Sequence, residues 1–167
     1  VVMNLERLKV RSGDPQQPGP DSSMTPADFP DFDVSVERLV YNKAKLGQLA
    51  LQASKLPGNR YRVETLSLSS ELLDMNLTGN WEMQGGQQLS SMELKVNEGK
   101  RDRLMRLFGY QKSIEDGVLS GGLRVSWPGA LWDFSPATAE GKLRLKIEDG
   151  QLLEVEPGAA GRVLGLT

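Results

Sequence analysis

The chain contains no cysteine and no histidine. That removes thiolate nucleophiles, Ser-His and Cys-His pairs, the usual zinc ligand sets and the common proton shuttle of neutral pH. It does not fix the redox compartment, because a cysteine-free chain is equally content in cytosol or periplasm. No apolar run reaches the ~18 residues that a transmembrane helix needs, and the amino terminus lacks a basic, apolar, small-residue signal pattern. A dominant charge is missing too: Lys+Arg 20 stands against Asp+Glu 22 in 167 residues. No basic field exists to draw phosphates, so nucleic acid is not an expected partner.

What remains is alternation. Val1 to Val10 mixes Met3, Leu5, Leu8 and Val10 with charges and reads as a strand. From Arg11 to Asp31 come Pro15, Pro18, Pro20, Pro26 and Pro30 among Gly, Ser and Asp, a composition that buries too little to offset ordering entropy. A mobile loop is expected there, or a connection between two modules. Phe32, Val34 and Val36 then alternate with Asp33, Ser35 and Glu37, until Leu39 and Tyr41 slip out of phase and imply a bulge or strand end. Ala44 to Leu56, the turn Pro57-Gly58-Asn59 and Arg60 to Ser70 make a hairpin, with a phase change between Val63 and Leu66. Leu73, Met75, Leu77, Gly79, Trp81 and Met83 share a face, and Gly85-Gly86 turns the chain into Met92, Leu94 and Val96. Leu119 to Trp127 and Ala139 to Ile147 repeat the scheme.

Two stretches depart from it. Leu104, Met105, Leu107 and Phe108 sit at helical spacing between Lys100 and Tyr110, with Gly109 suited to a terminus. After Pro157, Val163, Leu164 and Leu166 open an apolar helix that stops at Thr167, so the chain is expected to be a piece of something longer.

About eight strands with an apolar face and at most two short helices leave that face in need of cover. The sheet either closes on itself as a sandwich or barrel, or stays curled and open with a foreign apolar molecule as its core. Lipid tails fit the second case, since each buried methylene contributes about 0.8 kcal/mol. Small or unbranched linings such as Ala139, Gly121, Gly141, Met75 and Met83 suit a trough of uniform, nonspecific contacts, and equally an ordinary core.

The tract Ser126-Trp127-Pro128-Gly129-Ala130, then Trp132-Asp133-Phe134, Gly141-Lys142-Leu143, Glu148 to Val155, Pro157-Gly158 and Gly161 to Leu166, resembles the carboxy-terminal part of the YhdP-type AsmA-like proteins. The likeness covers most of Ala44 to Leu166, and Leu131 departs from it where a second proline is expected. The resemblance implies a mainly β fold, an antiparallel meander curled into an open apolar groove with one or two short amphipathic helices. It implies a periplasmic segment of a very long protein, anchored in the inner membrane, that carries phospholipid toward the outer membrane without catalysis or cofactor. The side chains expected to line the shared face and meet acyl chains are Leu49, Leu51, Leu66, Leu68, Met75, Leu77, Trp81, Leu94, Leu123, Val125, Leu143, Leu145 and Ile147. Division of the chain is expected at 1–31, strand and loop; 32–156, groove; and 157–167, helix start.

Competing readings are blander or sharper. Asp28, Asp31 and Asp33 resemble a hard-cation cluster but lack the glycine-punctuated loop and distal glutamate, so a solvated loop is expected. Glu148, Asp149, Glu154 and Glu156 supply the two carboxylates of a glycosidase only on paper, since acids flanking a turn are usually solvated. Asn76-Leu77-Thr78 lies mid-strand and reads as a chance glycosylation match, and Gly121-Gly122 as a bulge. Trp81 and Trp127 read as core or groove lining in preference to sugar platforms. The basic helix at Lys100 to Tyr110 packs on the sheet, plugs the groove or meets anionic headgroups. Beyond lipid carriage stand an envelope scaffold acting through exposed β edges and a closed sandwich that binds sugar.

Overall fold

A computed structural model describes residues 1–10, 23–41, 43–71, 73–100, 117–147 and 152–155. Nine strands form one sheet in sequence order: β1 (Val2–Val10), β2 (Phe32–Tyr41), β3 (Ala44–Leu56), β4 (Arg60–Ser69), β5 (Leu73–Gln84), β6 (Gln87–Lys100), β7 (Val118–Pro128), β8 (Glu140–Ile147) and β9 (Leu152–Val155). From β2 to β9 every neighbouring pair is antiparallel.

Turn chemistry fixes the hairpins. Gly85 and Gly86 between β5 and β6 take φ of 57° and 81°, the left-handed pair whose twist matches that of the flanking strands. Gly58 and Asn59 turn β3 into β4 with φ of 81° and 54°. The phase changes visible in the sequence are register shifts between Val36 and Leu39 on β2 and between Val63 and Leu66 on β4. Gly121-Gly122 is not the bulge: both glycines pair in step with Val96 and Lys95, and the shift lies next to them, between Val96 and Gly99 of β6.

An all-antiparallel meander is not what forms at the start. β1 pairs with β2 in parallel, Met3 opposite Val34 and Leu5 opposite Val36. A parallel neighbour needs a long crossover in place of a tight turn, and β1 and β2 are separated in sequence by enough residues for one. The second half of the proline-rich stretch also contributes to the core. Pro26 is fully buried and Met24 and Phe29 pack against a buried cluster, so composition understated what residues 23–31 bury.

The sheet does not close. β1 and β9 stand at opposite ends of the strand order, and each strand makes its main contacts with its sheet neighbours, with no second sheet laid against the first among the described residues. The sandwich and barrel readings are therefore set aside. The helix expected at Lys100 to Tyr110 falls outside the described residues except for Lys100, which ends β6, and the one expected after Pro157 falls outside them entirely. Among the described residues there is no helix, and so none long and apolar enough to cross a membrane.

Candidate functional site

Residues directly opposed on neighbouring strands share a face, so the register can be followed across the whole sheet. One row runs Val34, Leu51, Leu66, Leu77, Leu94, Leu123, Leu143 from β2 to β8. A second runs Val36, Leu49, Leu68, Met75, Val96 and Gly121, and ends opposite Leu145. Trp81 and Val125 continue the same face toward the hairpin ends. Eleven of the thirteen side chains expected to line a common wall are thus brought to one face, and Leu145 and Ile147 are placed by backbone register opposite Gly121 and Leu119. Most of the floor, from Leu51 to Leu143, is half-buried, whereas Val36 and Leu68 are buried. The opposite face carries Thr78, Asn80, Glu93, Arg124, Lys142 and Arg144.

At one margin the face is sealed. The segment before β2 and the loop after β7 both fold over it, and Phe29 is the centrepiece: its ring lies 5.2 Å from Tyr61, 5.8 Å from Trp81, 5.5 Å from Trp132 and 5.7 Å from Phe32. Trp81 meets Trp132 edge-on at 5.0 Å, within the range of favourable aromatic pairs. Trp81 is 0% and Tyr61 1% exposed. Ala53 and Ala130 fill the gaps, and Trp127 packs with Val125 and Ala139 alongside.

All but one of the buried polar side-chain atoms described in this wall are paired, as burial requires. Trp81 Nε1 donates to Gln88 Oε1 at 3.0 Å, and Gln88 Nε2 donates to the Met24 carbonyl at 3.0 Å. The Tyr61 hydroxyl donates to the Pro30 carbonyl at 2.8 Å, and Asp31 Oδ1 accepts from the Lys55 backbone at 2.7 Å. Burial, then the nearby charges of Asp31 and Glu64, push the Tyr61 hydroxyl up to about 12. Asp28 accepts from the Thr25 hydroxyl and backbone at 2.7 and 3.0 Å, which holds its carboxyl below the ordinary value. Asp28 and Asp31, two of the aspartates that resembled a cation cluster, are thus engaged in fastening the segment before β2, and none of Asp28, Asp31 and Asp33 belongs to a metal-ligating group among the described residues.

The loop after β7 is held just as tightly. Trp127 Nε1 donates to the Ala130 carbonyl at 2.8 Å, the Ser90 hydroxyl to the Gly129 carbonyl at 2.8 Å, and the Ala130 backbone to Asp133 Oδ2 at 2.9 Å. Gly129, at φ 113°, leaves only 2.8 Å between a would-be Cβ and Asp133. Among the described residues, Trp132 Nε1 is the buried side-chain donor with no acceptor.

A concavity of about 800 Å³ lies on the opposite, polar face across β6, β7 and β8. Arg124, Lys142 and Arg144 line it together with Glu93 and Glu140, and Arg124 donates to Glu93 at 3.2 Å. That bond, with Lys95 at 3.6 Å, holds the Glu93 carboxyl below its usual range. Mixed signs give the hollow no strong field, so the apolar face is the better functional candidate.

Sequence reasoning left several members out. Val34, Val36 and Val96 belong to the same rows and Met92 to the same face; their alternation is plain in the sequence, but they are not among the side chains expected to meet lipid. Phe29 and Trp132 were missed because they sit in loops, where period carries no information and only tertiary packing gives them a place.

The geometry defines a class: an open, single-layer β sheet with one continuous apolar face, walled along one margin, without a metal-ligating cluster among the described residues. A family model described as YhdP protein matches residues 1–167, and the chain belongs to that family. It is similar to the intermembrane phospholipid transporter YhdP of Escherichia coli (strain K12), 26% identical over 108 residues that cover 62% of this chain and 8% of that protein. The chain therefore spans a small fraction of the curated relative it matches. No solved structure matches it.

Proposed function

We propose that this chain is one length of a phospholipid-carrying trough between the inner and outer membranes of a bacterial envelope, in which the apolar face shields acyl chains and no residue performs chemistry. The observation that carries the proposal is the pair of apolar rows crossing β2 to β8 with no second sheet against them among the described residues. A sheet of this size normally covers such a face completely, and here most of the floor stays only half-buried, an incompletely covered apolar surface of the kind that marks a binding site. Phospholipid is named because the chain belongs to the YhdP family and its relative is called an intermembrane phospholipid transporter. Periplasmic placement and attachment to the inner membrane follow the same resemblance.

The test is made in the full-length protein in cells. Leu77→Asp and Leu94→Asp put a charge on the half-buried floor. Both should impair phospholipid delivery while the protein stays folded and abundant, and photoreactive residues at the same positions should capture phospholipid. Normal delivery through a stable, charged trough would falsify the proposal.

A second reading rests on β1. It stands at the edge of the sheet and exposes Val1, Val2 and Met3 by 56%, 75% and 41%, the surface on which another strand adds by backbone pairing. Proline at Asn4 would block that edge and leave the floor intact, so a defect confined to the proline variant would favour assembly over carriage.

A further inference from the structure

The aromatic wall gives the trough a direction. On the trough reading proposed above, on which this inference rests, we infer that the wall is an end stop for the acyl chain. Phospholipid then lies with its methyl ends against Phe29 and Trp132, the half-buried rings that cover Trp81, and its headgroup emerges at the opposite ends of the strands.

The two margins of the apolar face differ in what they offer a lipid. At the wall, rings from two loops close over the strand ends, and Trp81, Trp127 and Tyr61 spend their polar atoms on Gln88, the Ala130 carbonyl and the Pro30 carbonyl. A charged headgroup entering there would lose water and find these groups already engaged, at a cost of several kcal/mol. At the other margin Lys45, Gln48, Ser69, Glu71, Asn97 and Glu98 are exposed. Headgroup and water are both accommodated at that rim.

The length of the open floor agrees. Gly79, beside the wall, and Leu73, at the rim of β5, are six residues apart, which at about 3.4 Å per residue is roughly 20 Å. Ala53 to Leu49 on β3 and Met92 to Val96 on β6 span four residues each, roughly 14 Å. One leaflet of a bilayer's hydrocarbon core is about 15 Å deep. An acyl chain laid along the strands therefore reaches from rim to wall and leaves its ester groups at the polar margin.

One atom points the other way. Trp132 Nε1 is a buried donor without an acceptor and would suit an ester oxygen if the lipid lay reversed. The experiment separates the two orientations without altering the protein. Purified full-length protein is loaded from vesicles of phosphatidylethanolamine bearing a diazirine either beside the acyl methyl end or beside the carbonyl. After photolysis the labelled residues are assigned by tandem mass spectrometry.

The methyl-end probe should label Phe29 and Trp132 several-fold more than the carbonyl-end probe, and the preference should invert at Leu73 and Val96. The opposite pattern, or equal labelling of both margins by both probes, overturns the orientation and leaves the trough standing. No labelling of the apolar face by either probe overturns the trough reading itself.

Discussion

The wall and the floor of the trough are drawn from one face of the same strands, yet they are different materials. Trp81 is fully buried while Leu77, four residues along β5 and on the same side, is half-buried. The residue types do not explain the contrast, since both are apolar and both alternate with polar neighbours. Cover explains it: Phe29, Ala130 and Trp132 arrive from two loops over Trp81, and no buried cluster among the described residues includes Leu77. A sheet face becomes core only where something is laid on it, and what is left uncovered is available to a ligand.

The contrast should appear most strongly in stability. Trp81→Ala empties a dry, ring-packed site and should cost about 3–5 kcal/mol, whereas Leu77→Ala trims a surface already half open and should cost about 1 kcal/mol. Chemical denaturation of the two variants measures both, and equal costs would erase the distinction between wall and floor.

The wall should also carry an alkaline signature. Because the folded Tyr61 hydroxyl is raised from 10.0 to about 12, its contribution is fully present below pH 10 and is lost as pH rises toward 12, when the unfolded tyrosine ionises first. The loss amounts to about 2–3 kcal/mol. Tyr61→Phe removes that dependence, along with the hydrogen bond to Pro30, so its denaturation midpoint should fall less steeply across this window than that of the parent. Parallel curves would mean that Tyr61 is hydrated and the wall is not dry.

Smaller again is the effect of crowding where β7 meets β8. A Cβ on Gly141 would stand 2.0 Å from the Arg124 carbonyl oxygen, so Gly141→Ala must push two strands apart. The expected cost is about 1–3 kcal/mol, read as a lowered denaturation midpoint, and an unchanged midpoint would show that the floor at β8 yields freely.

Much of this was legible in the sequence, for identifiable reasons. Period-2 alternation placed the strands from Phe32 to Val96 and put Leu66, Leu77 and Leu94 on one face, and the slips at Leu39 and Leu66 announced real register shifts. Gly85-Gly86 declared its turn because both residues must take positive φ. The parallel pairing of β1 was hidden, because a strand carries no local mark of its neighbour's direction. The wall was hidden for a similar reason. Phe29 lies in a proline-rich segment whose average composition reads as solvent-exposed, and Trp132 in a loop whose hydrogen bonds to Asp133 and Trp127 form only on folding. Residues that depend on contacts distant in sequence leave no periodic trace.

The last and smallest effect belongs to the polar face, and it tests whether the comparison has been drawn on the correct side of the sheet. Glu93 and Arg124 face the hollow across β6 to β8, and the guanidinium keeps the carboxyl ionised below its ordinary value of 4.5. A depressed folded value stabilises above that pH and is lost on acidification, but both side chains are solvent-accessible, and salt screens such pairs. Glu93→Gln should therefore leave the denaturation midpoint nearly unchanged at neutral pH, flatten its slope slightly in acid, and leave lipid photolabelling of Leu77 and Leu94 intact. If the substitution instead abolished lipid capture, the charged hollow would be the ligand site and the apolar face merely half-finished core. Chemistry favours the apolar face, because the hollow would set a lipid tail beside Glu93, Arg124, Glu140, Lys142 and Arg144, while the floor offers methyl groups on every strand from β2 to β6.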